Sequence, residues 1–221
     1  MRSANPDFMR TSKLLMQALL SSFFLTVACH APALAESASE LVELTKVDPT
    51  LRLDIRYASD RNFMGFALYS QPRAFLQKDA ALALEKVNQE LKADGMELLI
   101  LDAYRPWSVT KLMWDKTAPS KRDYVANPKD GSRHNRGAAV DLTMVDRQTG
   151  KPVAMPSQYD DFTSKAHHSY QGGSRAAREN RAKLRSVMEK HGFEALSNEW
   201  WHYDFQGWQK YPVMDKSFEE L

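Results

Sequence analysis

Four residues in the second half of the chain have side chains that could hold a divalent metal and work beside it: His134, Asp141, Glu199 and His202. The first pair lies in Ser132-Arg133-His134-Asn135-Arg136-Gly137-Ala138-Ala139-Val140-Asp141, the second in Glu199-Trp200-Trp201-His202. Hydrolytic zinc sites hold the metal with three protein ligands, mostly histidine and carboxylate, and keep a fourth position for water. These four residues can supply such a set. A His and an Asp seven apart are common by chance, so the signal lies in the two blocks together.

Spacing constrains how the groups could meet. In an unbroken strand a separation of seven puts His134 and Asp141 on opposite faces. The chain must therefore bend between them, and Gly137 is the residue that tolerates such a bend or bulge. Glu199 and His202, three apart, would also face oppositely in a flat strand, which places Glu199 at a bend before the strand proper. Trp200 and Trp201 read as core and pocket wall. Of the remaining histidines, His30 falls in an N-terminal leader and His191 caps a helix C-terminus. His167 and His168 are adjacent, a poor arrangement for sharing one metal, and read as structural or pocket-edge residues.

The elements that must position these groups are readable from periodicity. Leu51 to Tyr57 alternates apolar and polar residues, as a half-buried strand does. Asn62-Phe63-Met64-Gly65 reads as a turn. From Lys78 to Asp94, Leu84, Val87 and Leu91 recur at helical spacing, with Asp94-Gly95 as the stop. Met96 to Leu101 reads as a buried strand that ends at Asp102-Ala103-Tyr104-Arg105-Pro106. A second helix is expected from about Arg175 to His191, with Ser174 as N-cap, Leu184, Val187 and Met188 on one face, and Gly192 as the stop. Ala138 to Met144 and Trp200 to Phe205 read as further strands. Strands and helices mix without regular alternation, which favours an α+β fold.

The 221 residues, 43% hydrophobic and 26% charged, fit one globular domain behind a leader. Arg10 and Lys13 precede an apolar stretch from Leu14 to Ala28, and Ala33-Leu34-Ala35 supplies a small-x-small cleavage site, so residues 1–35 read as a secretory signal peptide and 36–221 as the exported domain. Met9 could serve as the start. The apolar run is short for a membrane span and is interrupted by Gln17, Ser21 and Ser22. The net charge of +2 resides in the leader, and the remaining chain carries 27 residues of each sign, which gives no reason to expect nucleic-acid or anionic-membrane binding. The single cysteine, Cys29, leaves with the leader, so stability must come from packing and metal. The alternative is a lipoprotein signal in Leu25-Thr26-Val27-Ala28-Cys29, with Cys29 lipidated as a membrane anchor.

Taken together, the motifs identify a resemblance. Asp54-Ile55-Arg56-Tyr57-Ala58, Asp102-Ala103-Tyr104-Arg105-Pro106, Ser132 to Thr143, Tyr159-Asp160, and Gly192-Phe193-Glu194-Ala195 leading into Glu199-Trp200-Trp201-His202 resemble, in order and spacing, the bacterial D-alanyl-D-alanine dipeptidase family, VanX-type enzymes included. The resemblance runs from about Asp54 to Trp208. It implies a single α+β domain of the hedgehog/D,D-peptidase type, with a mixed or antiparallel sheet carrying one zinc ion and helices flanking it. It also implies that His134, Asp141 and His202 bind the zinc, that Glu199 is the catalytic acid/base and that Arg105 stabilises the transition state. Ser132 and Asp160 carry over as substrate-binding positions for a small dipeptide. Arg133 stands where some relatives have a small polar residue.

Each implied role suits its chemistry. Zinc lowers the pKa of bound water towards about 7 and polarises a carbonyl. Glu199 could move the water proton to the leaving amine, and Arg105, always charged, could meet the oxyanion. Asp102 is a natural orienting partner for Arg105, or a turn residue. Asp160 suits a substrate ammonium, although Asp161 beside it is what a solvated loop would also show. The expected activity is hydrolysis of D-alanyl-D-alanine to two D-alanines in cell-wall turnover. Its rivals are a zinc D,D-carboxypeptidase or endopeptidase acting on peptidoglycan stem peptides, and a non-catalytic zinc-stabilised binding module, which would have no use for Glu199.

Overall fold

The structure is a computed structural model and describes residues 39–221; the expected leader and Cys29 lie outside these residues. Its centre is a five-stranded sheet. Strand β2 (Arg52–Leu53) pairs parallel with β4 (Met96–Asp102), and the remaining pairings, β4 with β5 (Ala139–Asp146), β5 with β7 (His202–Phe205) and β7 with β6 (Phe193–Ala195), are antiparallel. A separate two-stranded ladder joins β1 (Leu41–Glu43) to β3 (Phe75–Gln77). This is the mixed-sheet α+β architecture expected.

Alternation along the central strands decides what each face carries. Leu98 and Ile100 of β4 and Val140, Leu142 and Met144 of β5 point into the main core. There they meet Leu84, Val87 and Leu91 of helix α2 (Lys78–Ala93) and Leu184, Val187 and Met188 of helix α4 (Arg175–Lys190), the stripes foreseen from helical spacing. Helix α4 begins where Ser174 Oγ accepts from the Ala177 amide at 3.1 Å, and it stops before Gly192 at φ +87°. The opposite sheet face carries a smaller cluster of Leu99, Leu101 and Val145 against Tyr159, with Trp200 and Trp201 packed nearby on Ala166 and Tyr159. The polar residues of β5 on this side are Asp141 and Thr143.

Two local irregularities arrange this second face. Pairing runs regularly from Met96↔Asp146 to Ile100↔Leu142, then slips, so that Asp102 and not Leu101 faces Asp141. Such a bulge re-aims one side chain without disturbing the rest of the ladder. Since Asp141 also pairs with His202, the three residues form a row across three adjacent strands. The second irregularity is the one required between His134 and Asp141. Residues His134–Arg136 form a single 3-10 turn closed by Gly137 at φ +63°, after which the chain enters β5. A Cβ at this glycine would run into the Leu41 side chain.

Some sequence expectations are corrected. The strand expected over Leu51–Tyr57 is only two residues long. After Leu53 the Asp54 amide still bonds to the Ile100 carbonyl, but residues Arg56–Ala58 coil into a 3-10 turn that buries Tyr57 beneath the site. The strand expected from Trp200 begins at His202, because Trp200 and Trp201 lie in the turn before it. Helix α1 (Leu44–Val47), helix α3 (Trp107–Lys116), β1, β3 and β6 were not foreseen. His191 does cap α4, with Nε2 2.8 Å from Glu90.

Candidate active site and metal centre

His134, Asp141 and His202 converge at the end of the cross-strand row, all buried. His134 Nε2 lies 3.2 Å from His202 Nδ1 and 3.4 Å from Asp141 Oδ1, and His202 Nδ1 lies 2.9 Å from the same oxygen. Tetrahedral coordination at roughly 2.0–2.2 Å places ligand atoms about 3.3 Å apart, so the triangle has the size such an ion needs. The other ring nitrogens are already engaged. His134 Nδ1 donates to the Ala103 carbonyl at 2.7 Å, and His202 Nε2 donates to Asp204 Oδ1 at 2.9 Å. These bonds fix the tautomers and aim a lone pair from each ring at the centre of the triangle, as partners of metal-bound histidines do.

Charge balance agrees with a cation at this point. Burial works against a proton on His202, yet the hydrogen bonds to Asp141 and Asp204 outweigh it and push its pKa up to about 10. Burial likewise opposes ionisation of Asp141, but the two histidines hold it well below the usual carboxylate range. A bound ion would supply the positive charge that this His–Asp cluster favours, in place of a proton on His202.

The remaining predicted residues line the same cavity of about 270 Å³: Arg105, Ser132, Asp160 and Glu199 join the triangle there, walled by Tyr57, Phe162 and Trp201. Glu199 sits in the turn before β7, with its amide bonded to Leu196 O and its own carbonyl accepting from the His202 amide. Among the described residues no protein donor is bonded to its carboxylate. Burial, with Asp141 nearby, raises its pKa above the ordinary value, the condition of a carboxylate poised to take and return a proton.

Arg105 is anchored on one edge. Its Nε and Nη2 donate to Asp102 Oδ2 at 3.2 and 2.6 Å, and Asp102 Oδ1 accepts from Tyr69 at 2.7 Å. The guanidinium lies over the Tyr57 ring, 5.0 Å from its centre, and Nη1 has no hydrogen-bond partner among the described residues. The β4 bulge is what brings Asp102, and through it Arg105, into line with Asp141. Backbone bonds complete the link, since the Arg105 amide donates to the His134 carbonyl at 3.1 Å.

Ser132 and Asp160 take up different positions. Ser132 Oγ accepts from the His134 amide at 3.2 Å, so it braces the His134–Arg136 turn as well as lining the cavity. Asp160, half-buried, is the one non-glycine residue among those described with a left-handed backbone, φ 59°. Its oxygens accept from Tyr57 Oη at 3.4 Å and the Phe63 amide at 3.3 Å. Burial, with Asp141 adding to it, pushes its pKa up to about 8. Such a carboxyl is stabilised by a cation arriving in the cavity. His167 and His168 stand outside the triangle; burial pushes the His168 pKa down to about 4, consistent with a structural ring against Tyr203.

Sequence reasoning missed several supports. Asp204 follows His202 by two on one strand, so both side chains fall on one face, a signal that was present. Asn135 donates to the Arg105 carbonyl and Thr110 Oγ1, both at 2.8 Å, and accepts from the Ser132 amide. Its role depends on loop closure that no spacing reveals. Arg133 extends outward over Trp208, 3.5 Å from Asp204, and lines the cavity mouth.

Residues 37–220 match the family model described as D-ala-D-ala dipeptidase. The chain belongs to this family. The family's D-alanyl-D-alanine dipeptidase from Escherichia coli K12 is 35% identical over 180 residues, 81% of this chain and 92% of that one. The enzyme of the same name from Enterococcus faecium is 36% identical over 174 residues, 69% of this chain and 85% of that one. Among solved structures, the LdcB LD-carboxypeptidase is 22% identical over 61% of either chain with a TM-score of 0.42, too distant to bear on the site. As a member of the D-Ala-D-Ala dipeptidase family, the protein is a metallopeptidase.

Proposed function

We propose that the protein is an exported zinc dipeptidase that hydrolyses D-alanyl-D-alanine to two molecules of D-alanine. The observation that supports this reading is the convergence of the His134, Asp141 and His202 side chains with an unbonded carboxylate and a half-anchored arginine in one small cavity. His134, Asp141 and His202 would hold zinc, which when bound supplies Lewis acidity and a water acidified towards about pKa 7. Glu199 takes the proton of the attacking water and returns it to the departing amine. Arg105, rigid on Asp102, offers its outer edge to the negative charge that develops on the carbonyl oxygen. Asp160 receives the substrate ammonium, and Ser132 adds a hydrogen bond.

Size supports a short substrate. A cavity of about 270 Å³ is below the roughly 300–1,000 Å³ of pockets that take drug-sized ligands. A longer stem peptide has an amide in place of the ammonium and leaves Asp160 without its charged partner, a loss of at least about a hundredfold in rate. The test is release of D-alanine from D-Ala-D-Ala, L-Ala-L-Ala and a muramyl pentapeptide ending in D-Ala-D-Ala. Efficient cleavage of the first alone is expected, abolished by chelation and reduced at least about a hundredfold in Glu199→Gln with zinc retained. Comparable cleavage of the pentapeptide would make the protein a carboxypeptidase, and Glu199→Gln losing its zinc would make Glu199 a ligand.

A further inference from the structure

Asp141 presents two oxygens to two different environments. Oδ1 faces both histidines, at 2.9 and 3.4 Å, while Oδ2 accepts from the Tyr159 hydroxyl at 2.9 Å. Tyr159 is the one residue among those described that bonds to Oδ2. Its ring is itself held, edge-on to Trp201 at 5.3 Å and to Tyr57 at 6.3 Å, and it packs on the Leu99, Leu101 and Val145 cluster. The hydroxyl therefore has a fixed direction.

A buried carboxylate with two free oxygens can turn both of them towards a cation, and a second oxygen would then crowd the position that water must occupy and raise the coordination number above four. We propose that Tyr159 is a positioning residue that keeps Asp141 a one-oxygen ligand and so reserves an open coordination position for the attacking water. The inference rests on the metal-site reading above and goes beyond it by assigning a task to a residue that touches neither metal nor substrate. It also gives the left-handed backbone at Asp160 a use. By turning the chain there, it lets consecutive side chains serve different ends, Tyr159 bonding to Asp141 and Asp160 lining the cavity.

Tyr159→Phe removes the hydroxyl and keeps the ring packing. The purified full chain and this variant are compared in zinc affinity, by competition with a chromophoric chelator, and in the visible spectrum after cobalt(II) substitution. Four-coordinate cobalt absorbs strongly and five- or six-coordinate cobalt weakly. Expected are a fall in cobalt absorption and a lower kcat with KM little changed, while zinc affinity does not fall, because the freed oxygen adds a bond to the ion. Unchanged affinity and spectrum in a folded variant would overturn the proposal. Weaker affinity with an unchanged spectrum would also overturn it, by showing Tyr159 to be a general brace. A wild-type chain that binds no metal would instead defeat the metal-site reading itself. X-ray absorption on the wild-type zinc form, counting one Asp141 oxygen or two, decides the matter without any variant.

Discussion

Asp160 shows how one residue can work against stability and in favour of binding. In the metal-free protein its pKa of about 8 lies far above that of an unfolded-chain aspartate near 3.9. The unfolded chain therefore gives up this proton first, and the folded state loses stability relative to it as pH rises from about 4 through about 8. Asn at this position has no proton to lose. Thermal melts of chelated Asp160→Asn against wild type, from about pH 5 to about pH 9, should show a melting-temperature difference that grows in favour of the variant as pH rises. A difference independent of pH would mean that Asp160 is solvated and unsuited to the ammonium. The same variant should bind the dipeptide more weakly, because the ammonium that would relieve the buried charge no longer finds it.

At the scale of elements, the two irregularities on either side of β5 do most of the arranging. Gly137 adopts φ +63°, and any Cβ there meets Leu41 of β1. Gly137→Ala should cost about 2–4 kcal/mol, roughly 1–2 from the left-handed backbone and the rest from displaced packing. Gly65→Ala, at φ +72° with open space around it, isolates the backbone part at about 1–2 kcal/mol. Urea unfolding of both variants checks the difference, and equal losses would remove the packing argument. Much of this level was legible beforehand. Leu84, Val87 and Leu91 declared α2, Ser174 and Gly192 bounded α4, and the spacing of His134 from Asp141 demanded a bend at Gly137. The bend before His202 followed from its distance to Glu199. The bulge at Leu101 was not legible, since nothing in Met96–Asp102 marks where pairing to β5 slips. Nor was the shortness of β2, where alternation continues to Tyr57 but the chain coils away after Leu53 and leaves Ile55 and Tyr57 buried by other contacts. Helix α3 was overlooked although Thr110 and Met113, its buried residues, stand three apart after Pro106.

At the scale of the whole molecule, the row of Asp102, Asp141 and His202 has a kinetic consequence. Asp141 and His202 are 61 residues apart in the chain, and His134 and His202 are 68 apart. Loops of that length must close before the two strands can pair, and distant pairings of this kind slow folding. The local hairpin of β6 and β7 can form early and still lack a partner for His202. The complete triangle should thus be among the last features to arise, and until then no set of three ligands exists to capture an ion. Refolding from urea with zinc and a fluorescent zinc indicator should show uptake in step with the slowest folding phase seen by tryptophan emission. Refolding in the presence of chelator should proceed at nearly the same rate, because the ion arrives after the barrier. Uptake that runs ahead of the tryptophan signal would mean that part of the site nucleates the fold. If the proposed export carries the chain out before it folds, late closure would leave the choice of ion to the compartment in which folding ends, not to the one in which the polypeptide was made.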